Sequence, residues 1–206
     1  MSGLRGLVLD FGGVILDMRW DAARALEERH GLPRHALVET LYRTATWREI
    51  ECGRGDRQAW LDEAHGLLEA RAGRPLPRLH DAWRGAQHPI AANVALVGAL
   101  RPPYRTALLS NADVSLPGRL RAARLDALFD AVVCSAEVGI AKPDPAVYRL
   151  AAARLGLPPE ACVFVDDAEP NVEAARAVGM TAIHYRVDRG DDLGAALAAL
   201  GVRPSG

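Results

Sequence analysis

Four short apolar runs in this chain lead into residues that can carry chemistry. Gly6–Leu9 is followed by Asp10, and the run RTALLS ends in Ser110 with Asn111 next. AVVCS leads through Gly139-Ile140-Ala141 to Lys142-Pro143-Asp144-Pro145, and CVFVD ends in Asp166 with Asp167 behind it. Taken singly, each has a plain structural role. An acid opens a turn, Ser110 or Asp144 caps a helix, and Asp166-Asp167 is a solvated pair. Pro145 stands at the first-turn position that proline favours, so Asp144 reads as an N-cap. Gathered in one place, the same residues read differently. Three carboxylates in one site repel one another unless a cation is present. A hard divalent ion with oxygen ligands, Mg²⁺, is the natural counter-charge. Lys142 and Ser110 then have a partner in a phosphate bound to that metal. A nucleophilic carboxylate, a cation and a phosphate-holding lysine together describe phosphoryl transfer through an aspartyl-phosphate.

The elements that would gather them are legible. Gly6–Asp10, Arg105–Ser110, Ala131–Ser135, Cys162–Asp166 and Thr181–Tyr185 read as strands. Helices are expected from Asp21 to Arg29 and over His35–Thr44, Asp56–Ala72, Ala91–Leu100, Leu116–Leu128, Pro145–Leu155, Pro170–Val178 and Asp191–Leu200. In Asp56–Ala72, the residues Trp60, Ala64, Leu67 and Leu68 form an apolar stripe with Leu61 on its flank. Residues 17–85 show no convincing strand. From residue 89, strands alternate with helices, which predicts right-handed βαβ units in a parallel sheet covered on both faces. The fold class is α/β, a Rossmann-like doubly wound sheet. Residues 1–16 and 89–206 form the core, and 17–88 form a helical insert after the first strand. In such a sheet, ligands bind beyond the carboxyl ends of the strands, where the residues above stand.

Composition narrows the function classes. The 206 residues carry 25 basic and 26 acidic side chains, a net charge of −1, with no Lys/Arg run. That argues against nucleic acid as a partner. The longest uncharged run, Gly85–Leu100, is too short to span a bilayer. An apolar stretch cut short by Asp10 does not read as a signal peptide. Three well-separated cysteines suggest neither a disulfide framework nor a zinc site, and reduced thiols in a cytoplasmic protein are expected. GxxxxGK[ST], HExxH, GxSxG and GxGxxG motifs are all absent. Of the 25 basic residues 24 are arginine, and there are 37 alanines, the mark of GC-rich codon usage. The single lysine is Lys142.

Leu9-Asp10-Phe11-Gly12-Gly13-Val14, Leu108-Leu109-Ser110-Asn111, Lys142-Pro143-Asp144-Pro145 and Phe164-Val165-Asp166-Asp167, the last with Asn171, Ala174, Ala175 and Gly179-Met180, follow one another in order. Together they resemble the four motifs of the haloacid dehalogenase-like hydrolase superfamily, across the whole core. The resemblance implies that Asp10 is the nucleophile and a Mg²⁺ ligand, with the Gly12 carbonyl, Asp166 and Asp167 completing the metal site. It implies that Ser110, Asn111 and Lys142 hold the phosphoryl oxygens of a small phosphorylated substrate. The insert would be a cap that closes over the site and selects the substrate.

One position departs from the phosphatase pattern. Gly12 stands where a second Asp usually serves as general acid and base, help worth about 10²–10⁴ in rate. Three readings stay open. An insert or loop residue, Asp17 among others, substitutes; the substrate has a good leaving group, such as a sugar 1-phosphate or acyl phosphate; or the protein binds a phosphorylated ligand with little turnover. Some family members with D-x-G-[GN]-V resemble sugar-phosphate phosphatases. A metal-independent 2-haloacid dehalogenase needs no acid at Gly12, but Asp166-Asp167 would crowd its anionic substrate. Within the insert, Trp47–Gly53 is the segment expected to reach the substrate, although tryptophan there reads first as packing.

Overall fold

The computed structural model describes residues 3–204. In chain order its elements are β1 (Gly6–Leu9), β2 (Leu16–Asp17), α1 (Trp20–His30), α2 (Ala36–Tyr42), α3 (Ala45–Ile50), α4 (Arg57–Ala72), α5 (Leu79–Ala86), β3 (His88–Pro89), α6 (Ala91–Ala99), β4 (Arg105–Ser110), α7 (Leu116–Ala122), β5 (Ala131–Cys134), α8 (Ser135–Val138), α9 (Pro145–Arg154), β6 (Cys162–Asp166), α10 (Glu169–Ala177), β7 (Thr181–His184) and α11 (Leu193–Ala199).

Five strands form one parallel sheet in the order β5-β4-β1-β6-β7. The alternation of side chains along a strand sorts the apolar residues between two layers. Leu7 and Leu9 of β1 join Leu108, Val163 and Val165 against Val97 of α6, Leu116 and Leu120 of α7 and Leu193 and Leu197 of α11. Val8 faces the other way with Ala107, Leu109 and Phe164, against Val147, Tyr148 and Ala151 of α9 and Ala175 of α10. Burial on both faces explains why these strands read as unbroken apolar runs. The central place of β1, between β4 and β6, makes the residues after these three strands neighbours.

A third apolar cluster belongs to the insert alone. It joins Ala23, Leu37, Leu41, Trp47, Ile50, Trp60, Ala64, Leu68, Leu79 and Trp83. Tyr42 meets Trp47 edge-on at 4.9 Å between ring centroids, and Trp47 lies 4.9 Å from Trp60. The buried indoles keep their polar edges satisfied: Trp60 Nε1 donates to the Leu41 carbonyl at 2.8 Å and Trp83 Nε1 to the Met18 carbonyl at 2.7 Å. Buried Glu27 of α1 accepts the main-chain N–H groups of His35 and Leu37 at 3.0 and 2.9 Å. A distant carboxylate thus takes the place of a local cap for α2.

Several local features differ from the sequence expectation. Residues 17–85 do contribute to a strand pair: Leu16 and Asp17 pair antiparallel with Pro89 and His88, a two-residue ribbon where the chain leaves and re-enters the core. Strands this short carry no readable periodicity. Helices α3 and α5 were not expected. The Leu116–Leu128 helix ends at Ala122, because Arg124 adopts a φ of 55° before a 3₁₀ turn at Asp126–Leu128. Asp21 lies inside α1 and pairs with Arg19 at 2.8 Å instead of capping. Trp60, Ala64 and Leu68, four residues apart, are buried as the stripe requires, while Leu67 lies off that row and is exposed.

Candidate active site

The carboxyl ends of β1, β4 and β6 converge with the loop between α8 and α9. Asp10 continues the line of β1, its N–H donating to the Val165 carbonyl at 2.9 Å, and its Oδ1 accepts the Phe11 N–H at 2.7 Å. Lys142 Nζ stands 2.8 Å from Asp10 Oδ1 and 2.6 Å from Asp166 Oδ2. Asp166 is fully buried and also accepts the Ala168 N–H at 2.8 Å and Asn171 Nδ2 at 3.0 Å. Two side chains fix the lysine loop. Asn111 Nδ2 donates to the Lys142 carbonyl at 2.9 Å while its Oδ1 accepts the Lys142 N–H at 2.8 Å. Asp144 caps α9, accepting from the Ala146 N–H at 2.8 Å.

One carboxylate oxygen each from Asp10, Asp166 and Asp167 lies within 4.8 Å of the others. Three carboxylates against one ammonium leave two negative charges in excess, which is the charge of one divalent cation. The electrostatics reflect that shortfall. Burial pushes the Asp10 carboxyl up to about 7, with Lys142 opposing and Asp166 and Asp167 adding to the rise. Burial and Asp166 push Asp167 up to about 6. Burial works against the charge on Lys142, yet Asp10 and Asp166 outweigh it and hold the ammonium above its ordinary value. The Gly12 backbone lies on the same cavity wall. The short bridge between Gly12 and Leu16 uses the Phe11 carbonyl and the Gly13 N–H, so the Gly12 carbonyl takes no part in it. This donor set of hard oxygens suits Mg²⁺. Gly13 itself has a φ of 76°, and a Cβ there would sit 2.6 Å from Asp167 Oδ2, so glycine alone lets the loop approach the acid.

A cavity of about 500 Å³ opens over these groups. The structure brings Asp10, Gly12, Ser110, Asn111, Lys142 and Asp167 to its wall and buries Asp166 behind Lys142. The side-chain amide of Asn111 is committed to the Lys142 backbone, which leaves its main-chain N–H for the phosphate role expected of this position. The insert contributes Met18, Trp20, Tyr42, Arg43, Trp47, Arg48, Glu51, Arg84 and Gln87. Asp17 is not among the lining residues and accepts the Arg19 N–H at 2.8 Å. Glu51 is the insert's one carboxyl on the wall among the described residues. Burial raises it above the ordinary glutamate range, against the lowering effect of Asn111, Trp47, Arg48 and Lys142. Just beyond it, Gly53 at φ 75° packs directly on the Ala136 carbonyl of α8, leaving no space for a Cβ. That contact seats the end of α3 over the lysine loop. Trp47–Gly53 does reach the cavity, and Trp47 serves both the wall and the insert's core. No sequence motif marks Glu51, Arg84 or Arg119 of the core wall, because helices from separate parts of the chain bring them together.

A family model described as haloacid dehalogenase-like hydrolase matches residues 4–179. The chain belongs to that family. This hydrolase is 39% identical to a phosphatase of Mycobacterium tuberculosis over 124 residues, 59% of this chain and 56% of that one, so that match spans little more than half of the relative. It is 30% identical to the fructose-1-phosphate phosphatase YqaB of Escherichia coli over 199 residues, 88% of this chain and 96% of that one. It is also 32% identical to (S)-2-haloacid dehalogenase 1 of a Pseudomonas species over 203 residues, 92% and 86% of the two chains. A Bacteroides thetaiotaomicron family enzyme, solved with magnesium and inorganic phosphate, shares the fold with a TM-score of 0.71 at 20% identity, covering 94% of this chain and 98% of that one. Among the described residues, no helix is long and apolar enough to cross a membrane.

The Lys142 side chain is 2% exposed and bridges two carboxylates at 2.8 and 2.6 Å. A planar guanidinium has a different shape and reach and does not place one point charge between two carboxylates. Lys142→Arg is expected to keep the charge and the fold, by circular dichroism, and to lose at least about 100-fold of turnover, the scale of a misplaced site group.

Proposed function

We propose that this hydrolase is a Mg²⁺-dependent phosphatase of small phosphorylated metabolites that works through an aspartyl-phosphate at Asp10. The observation that carries the reading is the cluster of three carboxylates and one lysine, short by two positive charges, at the end of the cavity. A carboxylate oxygen of Asp10 attacks phosphorus. Lys142, the Ser110 hydroxyl and the Asn111 main-chain N–H hold the phosphoryl oxygens. Asp10, the Gly12 carbonyl, Asp166 and Asp167 would hold Mg²⁺, which when bound neutralises charge on the nucleophile and the phosphoryl group. Glu51 takes the role left vacant by Gly12. It gives its proton to the leaving alkoxide, and its carboxylate then takes a proton from the water that hydrolyses the aspartyl-phosphate. Residues 17–88 act as a cap over a core of 1–16 and 89–206, excluding water while the intermediate stands. The named activities of the Escherichia coli and Mycobacterium tuberculosis relatives favour this chemistry, and the former favours a sugar phosphate. Three unpaired cysteines suit a reducing compartment, the cytoplasm.

Metal-free dehalogenation is the second reading, favoured by Gly12 and by the Pseudomonas relative. It leaves three carboxylates facing an anionic substrate with Lys142 alone at the cluster to offset them.

Turnover of p-nitrophenyl phosphate and of an alkyl phosphate, with and without Mg²⁺, decides between them. Chelation and Asp10→Asn are each expected to abolish both activities. Glu51→Gln is expected to slow the alkyl ester by about 10² or more, since its leaving group needs a proton, and p-nitrophenyl phosphate far less. Phosphatase turnover indifferent to both chelation and Asp10→Asn would sink the proposal, and chloride release from 2-chloropropionate without metal would install the dehalogenase. Equal slowing of both esters would remove Glu51 from the acid role.

A further inference from the structure

The wall of the cavity carries more positive charge than the phosphoryl site uses. Arg84 of α5 and Arg119 of α7 reach it from the insert and from the core, and both are half-buried. Neither has an ion-pair partner among the described residues. The nearby carboxylate is Asp113, 4% exposed, whose Oδ1 accepts from Arg57 Nε at 3.1 Å and from the Ser115 N–H at 2.9 Å. Arg57 and Arg119 thus share the Asp113 carboxylate, and Arg84 has no carboxylate within ion-pair distance among the described residues. The other acids on the wall do not supply one. Asp10 is bound to Lys142, Asp167 belongs to the carboxylate cluster, and Glu51 lies toward Asn111, Trp47 and Arg48.

Two donors on this wall are buried and unpartnered, Arg119 Nε and Gln87 Nε2. A buried donor with no acceptor is costly, and an oxyanion bound beside it would supply the missing acceptor. The Arg119 guanidinium lies 5.7 Å from the centre of the ring of Phe11, the residue next to Asp10. Burial holds Arg119 below its ordinary value, with Tyr42 and Asp113 opposing and Arg84 and Arg57 adding to the depression. Arg43 and Arg48, also on the wall, are exposed at its mouth and are set aside.

We infer that Arg84 and Arg119, with Gln87, form a subsite for a second anionic group of the substrate, apart from the phosphoryl group held at Lys142. The inference rests on the phosphatase reading and narrows it: the substrate is a phosphomonoester that also bears a carboxylate or a second phosphate. A guanidinium fork matches either oxyanion in two parallel hydrogen bonds. Trp20, Tyr42, Trp47 and Met18 line the same cavity and suit a short carbon skeleton between the two charges. A phosphorylated sugar acid or a sugar bisphosphate meets both this requirement and the sugar-phosphate leaning of the reading above.

Three substrates with one skeleton test it: propyl phosphate, 3-phosphooxypropanoate and propane-1,3-diol bisphosphate. The wild type is expected to favour at least one of the charged pair over propyl phosphate by tenfold or more in kcat/KM, mostly through KM. Whichever of the two gains shows whether the subsite takes carboxylate, phosphate or both. Arg84→Gln and Arg119→Gln are each expected to reduce that preference to less than threefold, while Arg149→Gln on the exposed side of α9 leaves it intact. Calorimetric binding of the three compounds to Asp10→Asn reads the same preference without turnover. Equal affinity for all three in that variant, or a preference that survives both arginine substitutions, overturns the subsite. Absence of turnover in the wild type together with a tenfold affinity gain would instead remove the phosphatase reading and leave the subsite standing.

Discussion

The site is organised around one buried ammonium. Lys142 Nζ touches Asp10 and Asp166 at once, and almost none of its side chain reaches solvent. Burying a charge in a protein is costly unless partners surround it, and removing one partner of a buried pair is strongly destabilising. The lysine therefore ties together three segments that are distant in sequence: the loop after β1, the loop before α9 and the end of β6. Asn111 adds the end of β4 by gripping the Lys142 backbone on both sides. The ammonium still falls short of the local negative charge. Burial, with the neighbouring carboxylates adding to it, keeps Asp10 and Asp167 reluctant to ionise.

The fold produces this concentration of charge by simple means. A parallel sheet brings all its carboxyl ends to one edge, and placing β1 between β4 and β6 puts their terminal residues side by side. The insert leaves the core directly after the first of those ends and returns at β3, stitched by the ribbon of Leu16–Asp17 and His88–Pro89. Its own tryptophan-rich core lets it hold a shape of its own above the sheet edge. The wall is divided accordingly: the core presents Asp10 and Lys142, while the insert presents Glu51 and Arg84.

What the sequence made legible follows the same division. Asp10, Ser110, Lys142 and Asp166-Asp167 stand at the ends of apolar runs whose burial on both faces makes them conspicuous. Position along the chain was therefore enough to place them at one edge. The role of Asn111 was only half legible, since its side chain serves the lysine loop and nothing local indicates that pairing. The insert was legible as helices but not as a wall. Asp17 looked like a nearby acid, yet its carboxylate is taken by the Arg19 N–H. Trp47–Gly53 was expected at the substrate, but nothing in its sequence singles out Glu51 as the acid on the cavity wall. Arg84 and Arg119 belong to helices separated by two strands, so their approach is a tertiary event that no spacing encodes. The single lysine among 24 arginines stands at the carboxylate cluster, its side chain almost wholly buried.

The central claim is that the Asp10–Lys142–Asp166–Asp167 cluster is short of one divalent cation, and direct titration with Mg²⁺ tests it most simply. Isothermal titration calorimetry of the wild type, without substrate, is expected to show one Mg²⁺ bound per chain, with binding lost in Asp167→Asn although the variant remains folded. An absence of Mg²⁺ binding to the wild type, or binding that is unaffected by Asp167→Asn, would contradict the account.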